Sequence, residues 1–376
     1  VAAGGAGGNG GAGGTDSCTS PGREPCEWDA FAGLACDAPS CCGEVSCVEE
    51  RCLDVCGTDT TGLDTLAPDF HVLAQFCGVT GSVSIVRGDA GCERPAVYRL
   101  ESFYNLDEDS FPVTITRFEP SVRSTRLPGE VVQSLTWPSP GGPGNISPAT
   151  FAVSPSETKA LLTLTLDNYD STSIELDLDT GATRTLEGHL TDRVLWLDDE
   201  HYLTCSVALG TPAPTSSEGI YYVDASGAEL VPTFVAGRLQ CLALGMVDDH
   251  VIVGGSPIVG GTDPALAVVP LGLIDDVVSG NRDPIDLYTD AGVQRIAREV
   301  WELQGHFPAG RWFVSPANPD YTEYRIEALS LEAGELAFGP ATQLGVPGLA
   351  GFTPLDAGSD RLMMVDYTAA YLVDFK

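Results

Sequence analysis

Residues 147–186 constrain the fold more than any other stretch: SPATFAVSPSETKALLTLTLDNYDSTSIELDLDTGATRTL. Four short strands are expected in succession, Ala149–Val153, Thr158–Leu166, Ser173–Asp179 and Ala182–Leu186. Turn residues bound each one: Ser154-Pro155-Ser156, Asp167-Asn168-Tyr169-Asp170 and Asp179-Thr180-Gly181. Ile174, Leu176 and Leu178 alternate with polar residues, the period of a half-buried strand. A four-stranded antiparallel meander of about 40 residues is one blade of a β-propeller.

The same unit recurs, more weakly, along most of the chain. Before it, strands are expected at Phe70–Cys77, Gly81–Arg87, Pro95–Ser102, Pro112–Glu119 and Glu130–Trp137. After it come Arg193–Asp198, His201–Ala208, Gly219–Asp224 and Glu229–Pro232. A third unit is read as Gln240–Val247, Val251–Gly255, Leu266–Leu271 and Ile285–Tyr288. A fourth is Ile296–Leu303, Arg311–Ser315, Glu323–Leu331 and Glu335–Leu344. The last has only three strands, Gly351–Pro354, Arg361–Asp366 and Tyr371–Phe375. A circular fold hides its free edges by letting one terminus complete the other's blade, and Phe70–Cys77 is the candidate for the missing outer strand. The expected fold class is therefore all-β: a propeller of about six blades, or seven if Phe70–Leu100 and Pro112–Trp137 belong to different blades. Turns such as Asp198-Asp199-Glu200, Asp224-Ala225-Ser226-Gly227 and Glu332-Ala333-Gly334 recur at matching places. That pattern, from about Phe70 to the end, resembles the lactonase/TolB-like bacterial propellers.

Ahead of the propeller the chain divides into a Gly-rich arm (1–17), a cysteine-rich module (18–57) and a polar connector (58–69). Eight of the twelve cysteines fall in the module: Cys18, Cys26, Cys36, Cys41, Cys42, Cys47, Cys52 and Cys56. So short a stretch cannot bury enough apolar surface to fold unaided, and four disulfides would supply the constraint. A zinc site would call for closely spaced cysteine pairs with histidine help, and the module has no histidine. The Cys41-Cys42-Gly43 doublet resembles small knottin-like secreted modules. Of the remaining four cysteines, Cys77 and Cys92 are expected to pair, and Cys205 and Cys241, on strands of adjacent blades, are expected to bridge, with two buried free thiols as the alternative.

Dense, even cysteine usage points to an oxidising, extracytoplasmic compartment. The chain reads as an exported one from which a signal has been removed, located extracellularly or on a bacterial cell surface. No apolar run approaches the ~20 residues of a membrane-spanning helix. Asp and Glu number 53 against 19 Lys and Arg, a net charge of −34. Such a surface repels nucleic-acid phosphates and anionic headgroups.

Propeller sites sit at one mouth of the central channel. The loops expected there carry Asp167, Asp170, His189, Asp192, Arg193, Asp263, Asp320, Glu323 and Asp366. Asp167, Asp170, Asp192 and Asp320 are the candidate oxygen ligands for calcium. His189, Arg193, Tyr169 and Tyr321 are the candidate binding residues. No nucleophile elbow, P-loop or H-E-x-x-H motif is present. The expected role is a non-enzymatic interaction or structural protein, binding other surface proteins or copies of itself. One version self-assembles through the Gly-rich arm. The alternatives are a calcium-type hydrolase or lyase acting on a lactone or sugar, and a lectin-like platform for a glycan.

Overall fold

The structure is a computed structural model. It describes residues 46–48, 51–53, 70–77, 82–86, 96–102, 110–118, 129–138, 147–165, 171–186, 189–208, 218–239, 241, 243–247, 249–255, 265–297, 302–304, 306–307, 312–315, 324–332, 335–344, 351–354, 361–365 and 369–375. The Gly-rich arm, the connector and Cys18, Cys26, Cys36, Cys41, Cys42, Cys56 and Cys92 lie outside these residues. Within the module, β1 (Ser46–Val48) and β2 (Arg51–Leu53) form an antiparallel pair with Cys47 opposite Cys52.

β3 (Phe70–Cys77) pairs far from its own neighbours in sequence. The first sheet is β4 (Ser82–Val86), β5 (Ala96–Ser102), β6 (Ser110–Phe118) and β7 (Gly129–Pro138). The second is β8 (Ser147–Val153), β9 (Lys159–Thr165), β10 (Ser171–Asp177) and β11 (Thr183–Thr185). The third is β12 (His189–Trp196), β13 (His201–Ala208), β14 (Glu218–Asp224) and β15 (Val231–Gly237). The fourth begins β16 (Ala243–Val247), β17 (His250–Gly255), β18 (Ala265–Pro270). A helix, α1 (Leu271–Val278), and β19 (Ile285–Asp286) intervene before its last strand, β20 (Gln294–Ala297). The fifth contains β21 (Glu302–Gln304), β23 (Trp312–Ser315), β24 (Tyr324–Glu332) and β25 (Glu335–Leu344), with β22 (His306–Phe307) diverted to β16. The sixth is β26 (Gly351–Pro354), β27 (Arg361–Val365) and β28 (Ala369–Phe375), completed by β3.

These sheets make a β-propeller. Their first strands, β4, β8, β12, β16, β21 and β26, lie side by side in that order, and β26 returns to β4, so the ring is closed. Closure runs through the expected strand: Ala369 pairs with Cys77, and Phe375 with Phe70. Phe70–Leu100 and Pro112–Trp137 therefore do not form separate blades; β3 joins the last sheet and β4–β7 make one. Outer strands share a device. Between third and fourth strands the register shifts at Ile115/Thr116, Ile220/Tyr221, Glu327/Leu329 and Leu372/Val373. In each case the extra residue falls on the outer strand, which sharpens the twist toward the rim.

The alternation along β10 is not that of a half-exposed strand. Ile174 (1% exposed) and Leu176 (0%) pack toward the first sheet, yet Ser173 (0%) and Glu175 (3%) are equally buried. The second sheet is covered on both faces, by the first sheet on one side and the third on the other, so its polar residues lie in a seam and need partners. Ser173 finds one in Thr163, hydroxyl to hydroxyl at 2.9 Å.

Two strand assignments are corrected. Ile285–Tyr288 is not the outer strand of the fourth sheet; β19 pairs in parallel with β15 of the third, Ala236 opposite Ile285. Nor is Ile296–Leu303 one strand: Gln294–Ala297 closes the fourth sheet against β18, and Glu302–Gln304 opens the fifth. The helix α1, which precedes both segments, separates the third strand of the fourth sheet from its last. Ile274 and Val277 are its buried residues, with Leu271, Leu273 and Val278 packed around them, and Asp275 and Asp276 face outward. It stops at Ser279, followed by Gly280 at φ +73°. A glycine there suffers no Cβ clash in the left-handed region.

Candidate functional site

First-to-second and third-to-fourth turns gather at one end of the ring. They are tied by a backbone bond that repeats in three successive sheets. Leu178 N donates to Thr158 O at 2.8 Å, Ala225 N to Glu200 O at 2.7 Å, and Leu271 N to Asp249 O at 2.7 Å. The opposite end is the mouth, where first strands begin.

β12 runs inward from that end. It carries His189, Asp192 and Arg193. His189 lies opposite Ala208 and Arg193 opposite Cys205, and the register skips Asp192, which makes it a bulge residue. β8 has a bulge at Ala149, skipped between Pro148 and Thr150. Both bulges stand at the same distance from the end of their strands, whose last pairs are Val153–Ala160 and Trp196–Tyr202. Bulges near strand ends terminate or redirect pairing beside functional sites. Arg193 is half-buried. Cys205, opposite it, is bonded to Cys241, with Cα atoms 5.5 Å apart. The bridge joins the second strand of one sheet to the chain entering the next first strand, as the sequence led us to expect. Its sequence separation is 36 residues, worth about 3–4 kcal/mol in the chain-entropy account.

Asp167, Asp170, Asp320, Tyr169 and Tyr321 lie outside the described residues, as do Asp263, Glu323 and Asp366. Asp192, Arg193 and His189 thus lie on one strand. Among the described residues no group of three or more His, Cys, Asp or Glu is placed to hold a metal ion. Among them, too, no helix is long and apolar enough to cross a membrane.

At the turn end, carboxylates are committed to their own loops. Asp177 Oδ1 accepts from Thr180 N and Thr180 Oγ1, both at 2.7 Å; the hydroxyl, then the amide, holds its pKa below the usual carboxylate range. Asp224 is lowered in the same way by Ser226 Oγ at 2.6 Å and Ser226 N at 2.9 Å. For Asp198, burial pushes upward, but bonds from His201 and the Glu200 amide outweigh it. The Asp177–Gly181 stretch is thus strand and turn, as its buried neighbours Leu176 and Leu178 require, and Gly181 sits at φ +74°.

Two inter-sheet clusters were not anticipated. Between the first and second sheets, Tyr98 Oη donates to Glu157 Oε2 at 2.6 Å and Arg117 Nε to the same oxygen at 2.7 Å. Glu157 occupies φ 61°, unusual for a side-chain-bearing residue. Between the second and third sheets, Arg184 bonds Glu175 through both Nε (3.1 Å) and Nη2, and reaches across to Ala225 O at 2.9 Å and to Gly227 O. Gln133 Nε2 makes the matching reach one seam earlier, to Leu178 O at 3.0 Å. A polar residue alternating into a strand now known to be covered on both faces was the available signal for Glu175.

No family model matches the sequence, and no curated protein does. Solved structures similar to this chain include an uncharacterized protein of Listeria monocytogenes, at 10% identity and TM-score 0.41, covering 76% of each chain. A putative TolB from Agrobacterium tumefaciens aligns at 11% identity and TM-score 0.39, over 74% of this chain and 90% of that one. The β-propeller domain of the Trilobed protease from Pyrococcus furiosus aligns at 10% identity and TM-score 0.37, over 80% and 95%.

Proposed function

We propose that this chain is an exported binding platform of a bacterial cell surface, a non-enzymatic propeller whose acidic exterior captures cationic segments of other surface proteins or of further copies of itself. The Cys205–Cys241 bridge carries the reading, because such bonds persist in oxidising compartments. A net charge of −34 supports cationic partners, whose encounter it accelerates. The Gly-rich arm and cysteine-rich module serve as the tether and the inter-subunit contact, and filament formation is the strongest version of this role. The second reading is a calcium-dependent lactone or sugar hydrolase, favoured by Asp192 at the bulge beside Arg193 in the mouth. A glycan-binding platform would use the same mouth.

Light scattering and negative-stain imaging of the native, non-reduced chain, with and without a calcium chelator, separate these readings. Polymers or large oligomers, or a monomer that captures a cationic peptide in a salt-sensitive way, are the expected result. A monomer indifferent to both peptide and chelator would overturn it. A compact monomer that loosens on chelation would move the assignment to the metal-dependent enzyme.

A further inference from the structure

The second seam holds two buried polar atoms without a hydrogen-bond partner, Glu175 Oε2 and Tyr202 Oη. Tyr202 is 0% exposed and Glu175 3%. Register brings them to the same interface. Across the second sheet, Ala152, Leu161, Glu175 and Arg184 form one row. Across the third, Trp196, Tyr202 and Val223 form another. Leu161, Trp196, Tyr202 and Val223 share one apolar cluster, and the Trp196 and Tyr202 rings pack at 4.8 Å. Bulk solvent is thus kept from both atoms.

We propose that this seam is a binding site for one enclosed water molecule, held between Glu175 Oε2 and Tyr202 Oη. Buried polar groups almost always have partners, and internal waters typically serve those that protein atoms leave unmet. The occupant is neutral, because Arg184 already balances the Glu175 charge through the other carboxylate oxygen. It is small, because Leu161, Trp196 and Val223 belong to the same apolar cluster as Tyr202. It both donates and accepts: an ionised carboxylate oxygen only accepts, whereas a phenol does either. Burial first, and the nearby Glu175 carboxylate second, push the Tyr202 hydroxyl far above its ordinary pKa, so it keeps its proton. The first seam shows what the alternative looks like. There Tyr98 bonds Glu157 directly, and nothing further is needed. This inference is independent of the function proposed above.

A crystal structure of the full chain, at a resolution that orders internal solvent, tests it. The expected result is one isolated peak within hydrogen-bond distance of both atoms. A direct Tyr202–Glu175 bond, or no density between them, overturns the proposal. A peak that gains anomalous signal after soaking in rubidium or thallium marks a cation, and overturns it equally. In solution, oxygen-17 relaxation dispersion of the folded chain should lose one long-lived water in Tyr202→Phe, a variant that removes only the hydroxyl. An unchanged dispersion in folded Tyr202→Phe sinks the idea.

Discussion

Two neighbouring seams of the ring use the same three residue types and arrange them differently. Between the first and second sheets, Tyr98, Arg117 and Glu157 meet at one carboxylate oxygen. Between the second and third, Arg184 holds Glu175 from one side while Tyr202 Oη has no protein partner. The first cluster is half-buried, with Arg117 and Glu157 side chains 26% and 30% exposed. In the second, the Glu175 side chain is 4% exposed. The difference teaches where each seam keeps its specificity. The first contains a strained turn: Glu157 sits at φ 61° while two donors from the neighbouring sheet hold its side chain. The second relies on a buried charge matched, among the described residues, by Arg184, so losing the arginine strands Glu175, whereas losing Glu175 leaves Arg184 with the carbonyls of Ala225 and Gly227.

The largest effect should come from breaking the deeper seam. Glu175→Ala leaves Arg184 without its carboxylate and should cost about 3 kcal/mol, the low end for a broken buried pair because Arg184 is itself partly exposed. Urea denaturation should show a lower midpoint with an unchanged slope. Reduction of the next seam's bridge, or the Cys205→Ser/Cys241→Ser pair, should cost about 2 kcal/mol, less than the full chain-entropy figure because the unfolded chain keeps residual structure, and should be visible as a lower melting temperature than the oxidised chain.

Glu157 sharpens the comparison, because strain and bonding there act in opposite directions. Glu157→Ala keeps the strain and loses both bonds; Glu157→Gly loses the bonds and relieves the strain. The glycine variant should therefore be the more stable by about 1 kcal/mol. Equal melting temperatures would show that the left-handed backbone costs nothing at this turn. Tyr98→Phe removes one hydrogen bond and leaves Arg117 in place, at a cost of about 1 kcal/mol.

The smallest effect lies in acid. Asp177 and Asp224 have folded pKa values lowered by their hydroxyl and amide partners. A depressed folded value contributes stability above the unfolded pKa of about 4 and loses it as pH falls through the folded value. Melting temperature should fall on acidification in that window, and less steeply for Asp177→Asn/Asp224→Asn. Identical slopes would remove those turns from the acid response.

Strand positions were legible because turn chemistry and apolar runs are local. The ring-closing role of Phe70–Cys77 was legible because a three-stranded final unit leaves an edge that must be covered. The insertion at 271–293 was not, because Leu271, Ile274, Val277 and Val278 serve a short helix as readily as a buried strand. The seam clusters were invisible for a different reason. Tyr98 and Glu157 are 59 residues apart, and their meeting depends on how adjacent sheets face one another. Of the candidate mouth residues, His189, Asp192 and Arg193 share one strand, β12.

The last sheet has a temporal consequence. Most pairings here join segments made one after another, but β3 meets β28 only once β28 has been made. A ribosome or export channel releasing the chain from its first residue onward delivers five sheets before the sixth can close. Until then, β3 has no strand beside it in its final sheet. Contacts that span so much sequence are slow to form. Folding of this ring therefore ends, rather than begins, with its first propeller strand, and loss of the last seven residues of β28 would leave an assembled arc with two open edges.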